Sequence, residues 1–212
     1  MTKIYLVRHG QTEWNKKLTF RGRADIPLNE AGHMEAQALS HALKDKNIEA
    51  IYTSPLKRSI ETAQPVANLF HLEIVPVQAL IDINYGDWEG LSFNEVKKRY
   101  GEQYIRWEKS PDLIRFPNGE TLDEAKERSF RAFNNIVREN PDNSILIIPH
   151  RVINKILLCA LLNLTNSHFW ELKQDTGCIN LIEYAEDKFV LCTMNDTCHL
   201  KGVIEETSQP DF

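Results

Sequence analysis

The chain has 212 residues, a formal net charge of -5, 42% hydrophobic residues and 26% charged residues. This composition is typical of a globular protein that is long enough to bury one continuous core. The acidic balance argues against a nucleic-acid surface, so a cationic site would have to be assembled locally.

Two further observations bear on the location of the chain. It has no apolar run long enough to cross a bilayer, and no leader-like apolar stretch before a small-residue cleavage site. The four cysteines form no CxxC pair, which argues against a zinc site or a redox motif. Reduced thiols are the simplest interpretation, and they predict a cytoplasmic protein.

The first part of the chain predicts a strand, a polar loop and an amphipathic helix. Residues 3–8 form a short run of β-branched and apolar side chains, which is typical of a strand. The polar residues 10–27 follow as a loop. Asn29 should open a helix. Its predicted buried stripe consists of Met34, Ala38, Leu39, Ala42 and Leu43.

A second strand is predicted over residues 49–53, and a second helix directly after it. Ser54 and Pro55 resemble an N-cap followed by a proline at the first helical position. We expect this helix to reach residue 69, with a kink or break near Pro65.

The middle of the chain has a candidate third strand over residues 73–77 and two helix starts. Ser92 and Thr121 each precede a glutamate by three residues, which is the capping-box spacing. Between these starts the chain is aromatic and partly irregular, and we interpret residues 85–117 as a small cap-like insertion.

The last third predicts a buried strand, a strongly apolar helix and a hairpin. Residues 144–149 form a continuous apolar run, typical of a strand covered on both faces. Residues 151–162 predict a helix, and residues 179–184 and 188–194 predict the terminal hairpin.

Strands that alternate with helices indicate βαβ crossovers. The predicted fold is α/β and three-layered, with a mainly parallel sheet, helices on both faces, a C-terminal hairpin and the cap insertion. Residues 1–212 are expected to form a single domain, since no repeat or linker interrupts them.

Cationic side chains follow three of the predicted strands. Arg8 and His9 follow the first strand, Arg58 lies shortly after the second, and His150 and Arg151 follow the run 144–149. Because ligands bind beyond the carboxyl ends of strands in open α/β sheets, these groups should meet in one crevice. Such a cluster in an acidic chain predicts an anion site.

A phosphoryl group fits these residue types. Arginine binds phosphate oxygens bidentately, and each charge-assisted hydrogen bond contributes roughly 1.5–3 kcal/mol. A neutral imidazole is a competent nucleophile at phosphorus, so His9 is a candidate nucleophile. Gly10 after it allows close backbone approach and unusual dihedral angles.

Phosphoryl transfer from an ester also needs a proton donor for the leaving oxygen. The stretch after the third strand, residues 79–90, supplies the carboxyl groups of Asp82, Asp87 and Glu89. The residue types alone do not choose among these three.

The string Leu6-Val7-Arg8-His9-Gly10-Gln11-Thr12-Glu13-Trp14-Asn15 resembles the signature of the histidine phosphatase superfamily, the phosphoglycerate mutase-like group. Residues 54–58 with 61–63 are similar to its second phosphate-binding element. Residues 80–90 are similar to its acid-bearing loop, and His150 to its second histidine. The four elements occur in order and span almost the whole chain.

The resemblance implies a role for each matching position. His9 would become phosphohistidine, while Arg8, Arg58 and His150 would form the phosphate pocket. Asp82 would be the proton donor. The implied substrate-binding residues are Gln11, Asn15, Phe20, Arg21, Gly22 and, as a hypothesis of its own, Arg151. The resemblance implies that no metal and no other cofactor is needed.

Two positions depart from the family pattern. Relatives more often have glutamate where this chain has Asp82, which is one methylene shorter, so Asp87 and Glu89 stay open as alternatives. Many relatives have glycine or another small or neutral residue where this chain has Arg151. This arginine could contact an acidic substrate, cap the following helix or face solvent.

The layout is similar to that of metal-independent phosphoserine phosphatases and broad-specificity relatives. We therefore expect a phosphomonoesterase that hydrolyses a small phosphorylated metabolite, with a carboxylated ester such as phosphoserine suggested by Arg21 and Arg151. A phosphoglycerate mutase and a non-catalytic phospho-ligand sensor are the alternatives.

Nucleic-acid and membrane partners are not expected. Relatives are often dimers, and a homodimer stays open.

Overall fold

A computed structural model describes residues 1–203. One six-stranded sheet organises this part of the chain, with the strand order β3-β2-β4-β1-β5-β6. The strands are β1 (Thr2–Val7), β2 (Ile48–Thr53), β3 (Ile74–Pro76), β4 (Ser144–Ile148), β5 (Ile179–Ala185) and β6 (Lys188–Asp196).

The sheet is parallel from β3 to β1 and antiparallel beyond it. β2 pairs in parallel with both β3 and β4, and β4 pairs in parallel with β1. β5 runs antiparallel to β1, and β6 antiparallel to β5. The predicted α/β fold with a mainly parallel sheet and a C-terminal hairpin is confirmed.

Seven α-helices accompany the sheet in the described residues. They are α1 (Glu13–Lys16), α2 (Glu30–Leu43), α3 (Lys57–Phe70), α4 (Phe93–Arg99), α5 (Gly101–Lys109), α6 (Leu122–Glu139) and α7 (Arg151–Leu161). Asn29 caps α2, and the predicted capping boxes at Ser92 and Thr121 are both formed. None of these helices is long and apolar enough to cross a membrane.

Helices cover both faces of the sheet because successive strand side chains point in opposite directions. Along β1, Ile4 and Leu6 belong to the core beneath α6 and α7. Tyr5 and Val7 belong to a second core beneath α2 and α3. The central strand β4 divides in the same way between the two cores, and each of its apolar side chains from Ile145 to Ile148 is fully buried.

Three local predictions about α2 and α3 were wrong. Met34 faces outward and is 41% exposed, since the buried stripe of α2 is rotated towards Glu35 and Ala36. The N-cap of α3 is Leu56, because Ser54 uses its hydroxyl inside the site instead. α3 also continues through Pro65 up to Phe70, so the predicted break does not occur, and the alternative, a kink, stays a prediction.

The segment 85–117 packs against the α6–α7 side of the sheet through aromatic side chains. The rings of Trp88, Trp107 and Phe116 are almost completely buried, and Phe116 contacts both tryptophans at centroid distances of 5.0 and 5.3 Å. The description of this segment as a cap within a single domain stays a prediction.

Candidate active site

The adjacent strands β2, β4 and β1 place their carboxyl ends side by side, and the predicted cationic groups gather there. The rings of His9 and His150 lie 5.1 Å apart between centroids. Arg58 Nε donates to His150 Nδ1 at 3.2 Å. Arg8, directly after β1, is close enough to His9 to influence its charge. We call Arg8, His9, Arg58 and His150 the inner pocket.

His9 is oriented so that one ring nitrogen stays available. Its Nδ1 lies 2.7 Å from the Gly10 carbonyl oxygen, and since a carbonyl can only accept, Nδ1 must hold the proton. Nε2 therefore presents its lone pair, and it is buried without a hydrogen-bond partner among the described residues. Burial is the main reason why the pKa of His9 lies well below its usual value, and the charges of Arg58 and Arg8 lower this pKa further. The free imidazole is thus neutral, as a nucleophile must be.

His150 has the opposite tautomer. Its Nδ1 accepts from Arg58, so Nε2 holds the proton and donates to Ser54 Oγ at 2.7 Å. Burial and the nearby Arg58 charge lower the pKa of His150 well below its usual value. The ring is therefore neutral in the absence of an anion, and a bound phosphoryl group would favour its protonation.

Arg58 connects the inner pocket to the loop after β1. Its Nη1 and Nη2 donate to the carbonyl oxygens of Ala24 and Gly22 at 2.7 and 2.8 Å. Nη2 also reaches Asp82 Oδ2 at 3.3 Å. Burial lowers the pKa of Arg58, and the Asp82 carboxylate partly offsets that effect. The guanidinium of Arg8 is held in place separately, because it donates to the backbone oxygen of Gln174.

The segment that bears His9 is held against α2 and α3. A side chain at Gly10 would lie 2.8 Å from the Gly32 oxygen of α2, so close packing requires this glycine. Its φ angle is not positive, so the close approach to α2 is the reason for a glycine here. The Gly10 N–H donates to Thr62 of α3. Glu35 of α2 accepts from the Gln11 N–H and from Thr176 Oγ1, both at 2.6 Å.

The three candidate acids have different surroundings. Asp82 is 4% exposed, and its Oδ2 lies near Arg58 and 3.7 Å from His150 Nδ1. Glu89 uses Oε1 to accept from the backbone N–H groups of Arg23 and Tyr85. Asp87 is exposed and accepts from Asn118. Of the three carboxyl groups, Asp82 alone contacts the inner pocket.

Three further charged residues hold the Asp82 backbone in place. Arg128 of α6 donates to the carbonyl oxygens of Ala79, Ile81 and Asp82 at 2.7–3.0 Å. Glu120 bridges Arg128 and Arg23 at 2.9 and 2.8 Å. Burial alone would raise the pKa of Glu120, but the bonds from Arg128 and the Asn84 N–H bring it below its usual value. We call Arg23, Glu120 and Arg128 the support network.

Three other predicted contact residues are engaged in packing or local hydrogen bonds. Gln11 Oε1 accepts from Asn29, and Asn15 Oδ1 accepts from Thr12 at the start of α1. The Phe20 ring is 3% exposed and packs on Tyr85, Trp88 and Phe93, so the structure favours a packing role over substrate contact.

The last three predicted contacts surround the pocket from the loop after β1 and from α7. Gly22 has a φ of +50°, and a side chain there would collide with Glu89. Arg21 is half-buried, and its charge lies close to those of Arg8, Arg151 and Arg58. Arg151 begins α7 with 9% exposure and donates to the Tyr85 hydroxyl, so the solvent-facing alternative is wrong.

Several residues of this site escaped the sequence reasoning. Ser54 follows β2 directly and was interpreted as a helix cap, so its hydrogen bond to His150 was missed. Glu35 could have been noticed as a charged residue on the buried side of an amphipathic helix. Arg128 gave no signal, because its three carbonyl partners belong to a loop 46–49 residues away. Within residues 1–203, no group of three or more His, Cys, Asp or Glu is arranged to hold a metal ion.

Comparisons with known proteins identify the family. The family model of the histidine phosphatase superfamily (branch 1) matches residues 4–197. The chain is 32% identical over 200 residues to phosphoserine phosphatase 1 of Hydrogenobacter thermophilus, covering 94% of this chain and 95% of the relative. It is 34% identical over 205 residues to the phosphatase PhoE of Bacillus subtilis, covering 97% of this chain and all of the relative.

Among solved structures, YhfR of Bacillus stearothermophilus superposes with a TM-score of 0.91 at 29% identity, over 94% of this chain and 100% of that one. The matched family region contains the whole inner pocket and Asp82. The chain therefore belongs to the histidine phosphatase superfamily, whose hydrolases are its relatives.

Proposed function

We propose that this chain hydrolyses small phosphate monoesters through a phosphohistidine formed on His9. One observation carries the proposal: His9 Nε2 presents a lone pair in a buried pocket beside two arginines, with no partner among the described residues. A nitrogen held neutral and aimed into a cationic hollow suits attack on an anionic phosphorus centre.

The reaction would proceed in two displacements. In the first, His9 Nε2 forms a bond to phosphorus as the ester P–O bond breaks, and Asp82 gives its proton to the leaving oxygen. In the second, Asp82 takes a proton from water, whose oxygen attacks phosphorus and releases His9 and inorganic phosphate. Arg8, Arg58 and a protonated His150 would stabilise the charge on the transferred oxygens.

The proposal includes a carboxylated substrate such as phosphoserine and a cytoplasmic location. The substrate class is supported by Arg21 and Arg151 near the pocket and by the name of the Hydrogenobacter relative. The location is supported by cysteines that are all free in the described residues. The homodimer stays an open prediction.

The decisive test is His9→Ala. We expect turnover of p-nitrophenyl phosphate to fall by roughly four orders of magnitude or more, since the covalent route is lost. The wild type, quenched during turnover of a ³²P-labelled ester, should contain acid-labile and base-stable phosphate. His33→Ala removes an exposed histidine from α2 and is the matched control. Retained activity in folded His9→Ala, judged by thermal unfolding, would refute the mechanism.

A mutase would share the first displacement and differ in the second, because phosphoryl would return to a bound alcohol instead of to water. Incubation with 3-phosphoglycerate and a bisphosphoglycerate primer separates the two functions. We expect inorganic phosphate to appear faster than 2-phosphoglycerate. A phospho-ligand sensor would bind phosphate and show no turnover in either assay.

A further inference from the structure

The helix α2 buries a carboxyl group that the proposed mechanism does not use. Glu35 is 0% exposed, and a charged side chain is rarely buried so completely unless it has partners. Its two oxygens accept from the Gln11 N–H and from Thr176 Oγ1, both at 2.6 Å. Burial raises the pKa of Glu35, whereas these two hydrogen bonds and the Arg8 charge oppose that effect and favour the carboxylate form. A buried anion therefore lies directly against the segment that bears His9.

A single peptide unit joins this carboxylate to the His9 ring. The peptide bond between Gly10 and Gln11 carries the N–H that donates to Glu35 Oε2. It also carries the Gly10 carbonyl oxygen, which accepts from His9 Nδ1 at 2.7 Å. The peptide is trans, so this N–H and this C=O point in opposite directions. A continuous chain of two hydrogen bonds thus runs from the imidazole through the peptide to the carboxylate.

The other polar groups of the same segment hold this peptide in its orientation. The Gly10 N–H donates to Thr62 Oγ1 at 2.9 Å, and the Gln11 carbonyl accepts from the Asn29 N–H at 3.0 Å. A side chain at Gly32 would collide with the Gln11 oxygen, so α2 packs against the segment backbone to backbone. The peptide plane cannot rotate without breaking several of these hydrogen bonds.

The chain of hydrogen bonds should matter most while His9 reacts. When Nε2 attacks phosphorus, the ring gains positive charge, and the Nδ1 proton becomes a stronger donor. A carboxylate that accepts from the N–H of a peptide polarises that peptide, so its carbonyl oxygen becomes a stronger acceptor. The interaction is therefore stronger in the transition state than in the free enzyme, which is the condition for it to increase kcat.

We propose that Glu35 is a positioning residue for His9: through the Gly10–Gln11 peptide it holds the Nδ1-protonated tautomer and stabilises the positive charge that the ring gains during phosphoryl transfer. The arrangement is similar to the carboxylate–histidine pair of a catalytic triad, with one peptide unit inserted between the two groups. Nδ1 keeps its proton throughout, and no proton moves along the chain. This inference rests on the proposed phosphatase function and adds a residue to it.

Glu35→Gln separates this role from a purely structural one, because it keeps the shape of the side chain and removes its charge. The amide oxygen can still accept from the Gln11 N–H, and the amide N–H can donate to Thr176 Oγ1. We expect the single-turnover rate of phosphohistidine formation from p-nitrophenyl phosphate to fall by about 3–10-fold, which is part of the factor for one hydrogen bond to a charged group. Inhibition by inorganic phosphate, which reports on the inner pocket, should be unchanged. The matched control is Glu30→Gln, which removes an exposed carboxylate from the same helix and should keep the wild-type rate.

¹⁵N NMR of the histidine side chains tests the same chain of hydrogen bonds without an assay of activity. In the wild type, His9 should be protonated at Nδ1 and not at Nε2, and the Nδ1 proton should resonate at low field because its hydrogen bond is short. The spectrum of His9→Asn identifies this signal by its absence. In Glu35→Gln the Nδ1 proton resonance of His9 should move upfield, while the His150 signals keep their positions.

Four outcomes would overturn the inference. Two of them concern folded Glu35→Gln, judged by thermal unfolding: an unchanged rate, or an unmoved His9 resonance. The third is a loss of rate matched by equally weakened inhibition by phosphate, which would indicate a structural role. The fourth is the Nε2-protonated tautomer of His9 in the wild type, a result that needs no variant. Turnover that persists in folded His9→Ala would instead refute the proposed phosphatase mechanism itself.

Discussion

The inner pocket and the loop of residues 80–90 meet where Arg58 contacts Asp82, but they are positioned in different ways. Arg8, His9 and His150 come directly after β1 and β4, so the parallel pairing of these strands brings them together. Asp82 belongs to a stretch outside the sheet strands. Its backbone is held by Arg128 and Arg23, which Glu120 joins.

This contrast indicates that substitutions should affect the inner pocket and the loop of residues 80–90 differently. The proposed nucleophile, His9, follows a central strand, so its position depends on main-chain pairing within the sheet. The proposed proton donor, Asp82, is positioned by a few charge-assisted hydrogen bonds from side chains that are partly accessible to solvent. We therefore expect changes in the support network to affect proton donation selectively, with little effect on nucleophilic attack.

The largest effect expected within the loop is that of Asp82→Asn. With alkyl phosphates kcat should fall by about 10²–10⁴-fold, since the leaving alkoxide needs a proton. With p-nitrophenyl phosphate the loss should be much smaller, because its phenolate leaves readily without one. Asp87→Asn changes an exposed carboxylate five residues further on and should cost less than about twofold in this assay. Equal losses in the two variants would remove Asp82 from the mechanism.

A smaller effect with the same dependence on the leaving group is expected for Glu120→Gln. The change weakens the ion pairs with Arg23 and Arg128, whose side chains are 36% and 18% exposed. We expect kcat with alkyl phosphates to fall by roughly tenfold, the factor for about one hydrogen bond to a charged group, and p-nitrophenyl phosphate to be affected less. The matched control is Glu124→Gln, which removes an exposed carboxylate paired with Arg115. A uniform loss with both esters would indicate a general structural role.

The smallest effect concerns the pH dependence of stability. The pKa values of His9 and His150 are lowered in the folded state, so the unfolded chain binds more protons once the pH falls below about 6.5. The free energy of unfolding should therefore decrease as the pH falls through that region, by at most about 1.4 kcal/mol per pH unit for each histidine. Above pH 7 these two groups should contribute no slope.

Urea unfolding between pH 7.5 and pH 5.5 in phosphate-free buffer measures this slope. The raised pKa values of Glu35 and Glu89 act with the opposite sign at the acidic end. Comparison with His9→Asn cancels their contribution, and the difference between the two curves should have the sign given above. Parallel curves for wild type and variant would show that His9 is not kept neutral by the fold.

Much of the fold and of the candidate site was predictable because the signals are local. The capping boxes at Ser92 and Thr121 are short motifs that act within one helical turn. The gathering of Arg8, His9 and His150 followed from a topological rule about parallel sheets. Met34 was assigned to the wrong face because the pattern counted apolar residues only, whereas α2 buries the charged residue Glu35 beside it.

The amino-acid sequence by itself determined the class of fold, the candidate nucleophile and the cationic residues near it, since strand ends and charged residue types are readable along the chain. The contact of Asp82 with Arg58, which neither Asp87 nor Glu89 makes, and the place of Arg151 beside Tyr85 were decided only by the tertiary structure. Both depend on contacts between segments tens of residues apart. Such contacts exist only after the two cores have packed on the sheet, and no periodicity in the chain records them.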